Sequence, residues 1–115
     1  MTANAEHGVT EEFAPGGAGA REAHRRLEDE RLARASQLSD LERSVEQTPL
    51  DEVEQSDHTR LDNLRASLKE INSAFRRLQD GTYGKCEGCT KAIPPGRLEI
   101  LPYVRYCVGC QQRLR

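Results

Sequence analysis

The feature that most constrains this chain is the spacing of its four cysteines. They form two Cys-x-x-Cys pairs with seventeen residues between them. The pairs are Cys86 with Cys89 and Cys107 with Cys110. Each pair can hold a zinc ion from a tight turn (a knuckle) at Zn–S distances of about 2.3 Å, and two pairs about 15–20 residues apart fit a four-cysteine zinc site. Gly88 and Gly109 suit knuckles whose backbone turns sharply, often with positive φ. We predict one structural zinc ion.

Two other uses of the cysteines compete with zinc. A pair of disulfides is disfavoured because the N-terminus shows no secretory pattern. A redox Cys-x-x-Cys motif usually lies in a βαβ context, and the pattern around these cysteines is not of that kind. Metal-bound thiols favour a reducing compartment, so we expect a cytoplasmic protein.

The composition argues against a large globular core. Of the 115 residues, 36% are hydrophobic, 4% aromatic and 31% charged, and tryptophan is absent. Such a chain suits a helical, solvent-exposed rod joined to a module held together by metal. No apolar run approaches the roughly 20 residues that span a bilayer, so we expect no membrane association.

The N-terminal half predicts an arm followed by a helix. Residues 1–19 lack periodicity and are expected to form a flexible, passive arm; docking of Val9 and Phe13 on a partner is the less favoured alternative. From about Ala20 to Val45 the chain is rich in Arg, Glu, Leu and Ala and should be helical. Its apolar positions are Leu27, Leu38, Leu41 and Val45, with Arg31 and Arg34 between them on the same face.

A second helix is predicted from a start at Thr48, with Pro49 at its first position, to about Gln79. Its apolar residues recur at steps of three and four, the heptad rule. They are Leu61, Leu64, Leu68, Ile71, Phe75 and Leu78. Two helices with complementary apolar strips and a short connection predict an antiparallel hairpin about 40 Å long.

The connection between the helices is acidic. Residues 46–57 (the tip) contain five acidic residues and no basic one. The candidate functional acids of the tip are Asp51, Glu52, Glu54 and Asp57. They suit a site that holds Mg²⁺ and are repelled by phosphate. The alternative interpretation is a solvated helix end, where acids favour the helix dipole.

Residues 81–115 form the predicted zinc module. Arg97 to Leu101 alternate like a short strand that Pro102 ends, and Tyr103, Val104 and Tyr106 can cover the metal site. The predicted fold class is therefore mainly α: an antiparallel coiled-coil hairpin at 20–80, a four-cysteine zinc-finger base at 81–115 with at most two short strands, and a flexible arm at 1–19.

The amino-acid sequence of the module resembles that of the zinc finger of the DksA/TraR family. The similar strings are Gly81-Thr82-Tyr83-Gly84-x-Cys86-Glu87-x-Cys89, Ile93-Pro94-x-x-Arg97-Leu98-Glu99, Pro102 and Cys107-x-x-Cys110-Gln111. The resemblance implies a regulator of transcription that binds bacterial RNA polymerase. It implies that the zinc base sits at the rim of the secondary channel and that the acidic tip approaches the catalytic magnesium. Arg97, Arg105 and Lys91 are then candidate polymerase contacts.

The chain also departs from the family pattern. The Asp-x-x-Asp-x-Ala tip string of some members is missing, and Leu101 stands where members that respond to ppGpp carry a basic residue before the proline. We therefore do not predict ppGpp dependence.

Three other functional classes remain to be weighed. The basic residues of the module suit nucleic-acid binding, although no recognition helix of the usual length is evident and sequence-specific DNA recognition is not expected. A structural coiled-coil dimer is the second alternative, against which Arg31 and Arg34 argue. Catalysis is not expected, because four thiolates saturate the zinc.

Overall fold

The computed structural model describes residues 12–114, which form a rod on a small base with overall dimensions of 64 × 32 × 20 Å. The helices are α1 (Ala18–Glu46), α2 (Gln55–Asp80), α3 (Pro95–Ile100) and α4 (Val108–Arg113), with a 3-10 turn at Leu50–Glu52. Within residues 12–114 no β-strand forms, and one antiparallel bridge joins Lys85 and Ala92. None of the helices in this part of the chain is long and apolar enough to cross a membrane.

Helices α1 and α2 form the antiparallel hairpin that the periodicity predicts. Near the base, His24 of α1 packs on Phe75 of α2 with ring centroids 4.9 Å apart. Farther along, Arg65 of α2 donates to Glu42 of α1 at 3.1 Å. The sequence numbers of these pairs rise on one helix and fall on the other, so the two helices run in opposite directions.

The contact face of the hairpin is the predicted one. The heptad residues of α2, Leu61, Leu64, Leu68, Ile71, Phe75 and Leu78, are all buried or half-buried. On α1, Leu27 and Leu41 are buried, while Arg31 and Arg34 are half-buried. Their guanidinium groups pair with Glu28 and Glu30 of the same helix, so the two arginines keep charged partners beside an apolar face.

The turn between the helices differs from the expectation for Thr48. We predicted that Thr48 caps the N-terminus of α2, but its hydroxyl donates to the Ser44 carbonyl at 2.8 Å and so completes the C-terminal end of α1. Pro49 then starts the 3-10 turn, and α2 begins only at Gln55. The prediction was wrong because threonine can bond to the carbonyl four residues back in a helix as well as cap the next helix.

The base, residues 81–114, shares one core with the adjoining end of the hairpin. Gly81 ends α2 in the left-handed conformation (φ 80°) and donates its N–H to the Arg77 carbonyl, as C-terminal glycines commonly do. The core continues from α2 through Tyr83, Ile93 and Leu98 to the cysteines.

The predicted strand at Arg97–Leu101 is wrong, because this segment is the helix α3. Pro95 occupies its first turn, where a missing N–H costs nothing, and Leu98 turns into the core. An alternation of polar and apolar residues over only five positions is compatible with a short helix as well as with a strand.

The N-terminal residues also depart from the prediction. Phe13, expected in a flexible arm, is only 7% exposed and packs edge-on against Tyr83 with ring centroids 4.8 Å apart. Helix α1 begins at Ala18 rather than Ala20. The expectation for Val9 lies outside the described residues.

The base is held against the side of the hairpin by polar contacts as well as by the core. The Arg77 side chain of α2 is buried and donates to the Tyr103 carbonyl at 3.2 Å. Arg34 of α1 donates to the Tyr103 hydroxyl at 3.3 Å. Arg105 pairs with Glu70 of α2 at 3.2 Å. The loop before the second knuckle is thereby fixed to both helices.

Candidate metal centre and hairpin tip

The four cysteine sulfurs converge on one point in the base. Every pair of the four Sγ atoms lies within 4.8 Å, and within residues 12–114 this is the one group of three or more such side chains that could hold a metal. All four are free thiols, and the Sγ atoms of Cys89 and Cys107 are 3.9 Å apart. A tetrahedral zinc with Zn–S bonds of about 2.3 Å sets its sulfurs roughly 3.8 Å apart, whereas a disulfide requires about 2.05 Å. The residues fit zinc.

Backbone hydrogen bonds form the first knuckle. The Cys86 N–H donates to the Lys91 carbonyl at 2.8 Å, and the Thr90 N–H donates to the Cys86 carbonyl at 2.9 Å. Thr90 closes this turn with a φ of 65°. Positive φ was expected at Gly88 and Gly109, but neither of them adopts it. The turn therefore places its strained position one residue after the second cysteine.

The second knuckle is built on the start of α4. Cys107 is the N-cap of this helix, and its sulfur accepts the Cys110 N–H at 3.5 Å. A thiolate in this position receives an orphan N–H of the helix terminus. The short helix thus points the sulfur of Cys110 back toward that of Cys107.

The surroundings favour the thiolate at Cys86 and the thiol at Cys110, and hydrogen-bond donors to both sulfurs would offset the negative charge of a Zn(Cys)₄ group. Burial raises the pKa of the Cys86 thiol, but the backbone N–H groups of Cys107, Cys89 and Gly88 outweigh it and lower the pKa to about 6. Burial raises the pKa of Cys110 to about 12, and the Arg113 guanidinium donates to its sulfur at 3.0 Å. When bound, zinc would keep all four sulfurs as thiolates and cross-link the two knuckles.

The tip acids lie at the opposite end of the rod from the zinc site. Asp51 and Glu52 are exposed in the 3-10 turn, Glu54 is the exposed N-cap of α2, and Asp57 is half-buried in its first turn. In the described part of the chain none of these four carboxylates forms an ion pair, and they do not group as a metal site. They are charges presented to solvent.

The three basic candidates of the base differ in how free they are. Lys91 is exposed. Arg97 donates its Nε to the Tyr106 carbonyl at 3.0 Å. Arg105 is engaged with Glu70 at 3.2 Å and with Glu87 at 3.6 Å. Arg105 thus has an internal role in joining the base to α2, in addition to any contact with a partner.

Sequence reasoning missed two residues that the structure singles out. Leu50 is 87% exposed at the tip, yet a lone leucine after a proline carries no signal other than a helix start. Arg77 was treated as one charge among many, whereas its guanidinium is buried and its pKa is lowered by burial, against the opposing effect of Glu87.

A four-cysteine zinc finger joined to a helical hairpin is the class of protein that this geometry defines. Residues 81–115 match the family model described as the prokaryotic dksA/traR C4-type zinc finger. This match makes the finger, residues 81–115, similar to the DksA/TraR type.

Individual proteins are similar to longer stretches of this chain. The chain is 38% identical over 79 residues to an uncharacterized protein of Aquifex aeolicus, covering 64% of this chain and 54% of that protein. It is 38% identical over 52 residues to the RNA polymerase-binding transcription factor DksA of Caulobacter vibrioides, covering 45% of this chain and 37% of the relative. The solved structure of transcription factor DksA2 from Pseudomonas aeruginosa aligns with a TM-score of 0.45 at 25% identity, covering 83% of this chain and 75% of that one. The chain spans about half the length, or less, of these curated relatives.

Proposed function

We propose that this protein binds bacterial RNA polymerase and regulates transcription from the secondary channel of the enzyme. The observation that carries the proposal is the finger itself: residues 81–115 match the DksA/TraR model, and a relative matched over 52 residues is named as an RNA polymerase-binding transcription factor. In a bacterium this activity belongs to the cytoplasm.

The shape of the molecule supports entry into a channel. Helix α1 has 29 residues and is therefore about 44 Å long at about 1.5 Å per residue, and a rod of two such helices can pass where a globular domain cannot. In this proposal the hairpin at 20–80 enters, and the zinc-finger base at 81–115 stays at the rim. The exposed Lys91 and the half-buried Arg97 of the base are the basic side chains offered to the polymerase there.

The charges of the tip support its approach to the catalytic magnesium. Asp51 and Glu52 are exposed and lie in the turn that ends the rod, and carboxylate oxygens are ligands that Mg²⁺ accepts. A phosphate backbone would repel the same groups. The tip therefore acts on the active site and not on the nucleic acid. We propose that it acts without ppGpp, since Leu101 replaces the basic residue of responsive members.

A second candidate function is nucleic-acid binding by the base. Residues 81–115 carry six basic side chains against two acidic ones. Arg105 pairs with Glu70 and Glu87, and Arg113 donates to the sulfur of Cys110. Fewer than six basic side chains of the base are therefore free to contact a nucleic acid.

The test is a binding assay with purified RNA polymerase core, repeated in competition with another protein known to occupy the secondary channel. We expect stoichiometric binding that the competitor abolishes. Binding that survives competition would move the site elsewhere on the polymerase. No binding, together with salt-dependent binding to DNA or RNA, would replace the proposal with the second candidate.

A further inference from the structure

Leu50 is the most exposed large hydrophobic side chain of the described residues, at 87%. Single apolar residues on the flank of a helix are ordinary in soluble proteins, and Leu32, 54% exposed on α1, is one of these. Leu50 differs from Leu32 in its place, because it lies in the turn that ends the rod.

The turn holds Leu50 outward in a defined conformation. The Glu52 N–H donates to the Pro49 carbonyl at 2.8 Å, and the Val53 N–H donates to the Leu50 carbonyl at 3.3 Å. The turn also has an inner position, because Val53 is half-buried. The fold therefore places Val53 inward and Leu50 outward. Because the hydrogen-bonded turn already fixes the backbone at Leu50, this side chain loses less conformational entropy on binding than it would on a flexible loop.

Charged side chains surround this leucine. Asp51 and Glu52 follow it in the same turn, and Glu46 and Glu54 flank the turn on either side; all four are exposed. Within residues 12–114 none of these carboxylates is in an ion pair. An apolar centre with a charged rim is the arrangement of a protein–protein contact.

We propose that Leu50 is the anchor of the tip, and that it inserts into an apolar depression on the protein that receives the hairpin, within positively charged surroundings that meet the acids. The inference rests on the proposed function and names the chemistry of the surface that the tip contacts. A nucleic acid is not the occupant, since its phosphates repel the acids. A second copy of this tip is excluded by the same repulsion.

The experiment measures the affinity of the chain for RNA polymerase core with Leu50→Gln, which keeps a side chain of similar size and removes its apolar character. Burial of a leucine is worth enough to predict about a tenfold or greater loss of affinity. Leu50→Met is expected to remain within about threefold of the wild type. Leu32→Gln, an exposed leucine away from the tip, is the matched control and should bind like the wild type.

Photo-crosslinking from position 50 directly identifies the residues of the polymerase that line the proposed apolar depression. With Leu50→p-benzoylphenylalanine, we expect a crosslink to a polymerase segment of apolar residues flanked by Lys or Arg, and none from the same substitution at Leu32. Equal affinities of Leu50→Gln and Leu32→Gln, or a crosslink in an acidic, polar segment, would overturn the inference while polymerase binding stands. Failure of the wild-type chain to bind polymerase would overturn the proposed function first and the inference with it.

Discussion

Gly88 and Gly109 occupy the same position in their knuckles, and yet the structure gives them different roles. A Cβ atom added at Gly88 would lie 2.9 Å from the Cys110 sulfur, whereas one added at Gly109 would meet nothing within 4 Å. Gly109 also lies inside α4, where glycine is less favourable than alanine. Only Gly88 is required for space, because a zinc ligand fills the position where its side chain would be.

We therefore expect Gly88→Ala to weaken zinc binding and Gly109→Ala to leave it unchanged or to stabilise the base slightly. The reason is that the Cys110 sulfur cannot move away from Gly88 and keep its distance to the other three sulfurs. The measurements are the release of zinc from each variant to increasing concentrations of a colorimetric chelator and the thermal unfolding of each variant. Equal zinc retention in the two variants would contradict the assignment of a steric role to Gly88.

Tyr83 links the stability of the base to pH. Its hydroxyl donates to the Pro102 carbonyl at 2.6 Å, and burial raises the pKa of Tyr83 to about 12, above the ordinary value of about 10. The phenol is neutral when protonated, so the folded state holds its proton more tightly than the unfolded state. Its contribution is fully present below about pH 10 and is lost as the pH rises toward 12.

Between pH 8 and pH 11 the wild type should lose about 1 kcal/mol more of unfolding free energy than Tyr83→Phe, in which the titrating group is absent. At pH 8 the same variant should be about 1 kcal/mol less stable than the wild type, because the Pro102 carbonyl loses its donor. Urea unfolding of both proteins at several pH values measures the difference. Parallel pH profiles would show that Tyr83 does not titrate differently in the folded state.

At the scale of elements, the residues that stabilise the hairpin are different from the candidate functional acids of its tip. The apolar face of α2 is buried from Leu61 to Leu78, while the carboxylates of the tip contribute no ion pair among the described residues. Their removal should therefore leave the hairpin folded. This separation allows the tip to be tested without disturbing the rod.

The quadruple variant Asp51→Asn, Glu52→Gln, Glu54→Gln, Asp57→Asn should bind polymerase core within about threefold of the wild type, because exposed charges at a contact affect association rate more than affinity. Its effect on transcription in vitro should fall strongly. The control neutralises Asp62 and Asp80, exposed acids of α2 that form no ion pair among the described residues. Full transcriptional activity of the tip variant would remove these acids from the mechanism.

At the scale of the whole molecule, the N-terminal segment, α2 and the base share one core. Phe13 packs against Tyr83, and a side chain at Gly84, whose φ is 86°, would come within 2.9 Å of the Phe13 ring. Glycine is thus required at position 84 both by its backbone conformation and by the aromatic ring above it. A segment twelve residues from the N-terminus is in this way a structural part of the zinc base.

Phe13→Ala should lower the unfolding free energy by about 3 kcal/mol, the usual cost of removing a buried phenylalanine. It should also expose residues 12–17 to protease. Leu32→Ala, which removes an exposed leucine from the same chain, is the control and should change stability little. Thermal unfolding and limited proteolysis are the measurements. Wild-type stability in Phe13→Ala would show that the segment is not part of the core.

Local letters and spacings were sufficient to predict the zinc ligands, the two long helices and their antiparallel pairing. Zinc coordination requires thiolates at a fixed spacing, and a long heptad pattern gives a helix one apolar face that must be buried. Both patterns extend over only a few tens of residues, so they can be recognised from the sequence alone. Only the tertiary structure decided that Phe13 packs beside Tyr83, that Arg97–Leu101 lie in a helical turn, that Arg77 is buried under Tyr103, and that Leu50 faces outward while Val53 faces inward. Each of these outcomes depends on which surfaces distant segments present to one another, and a short segment of sequence cannot specify its neighbours.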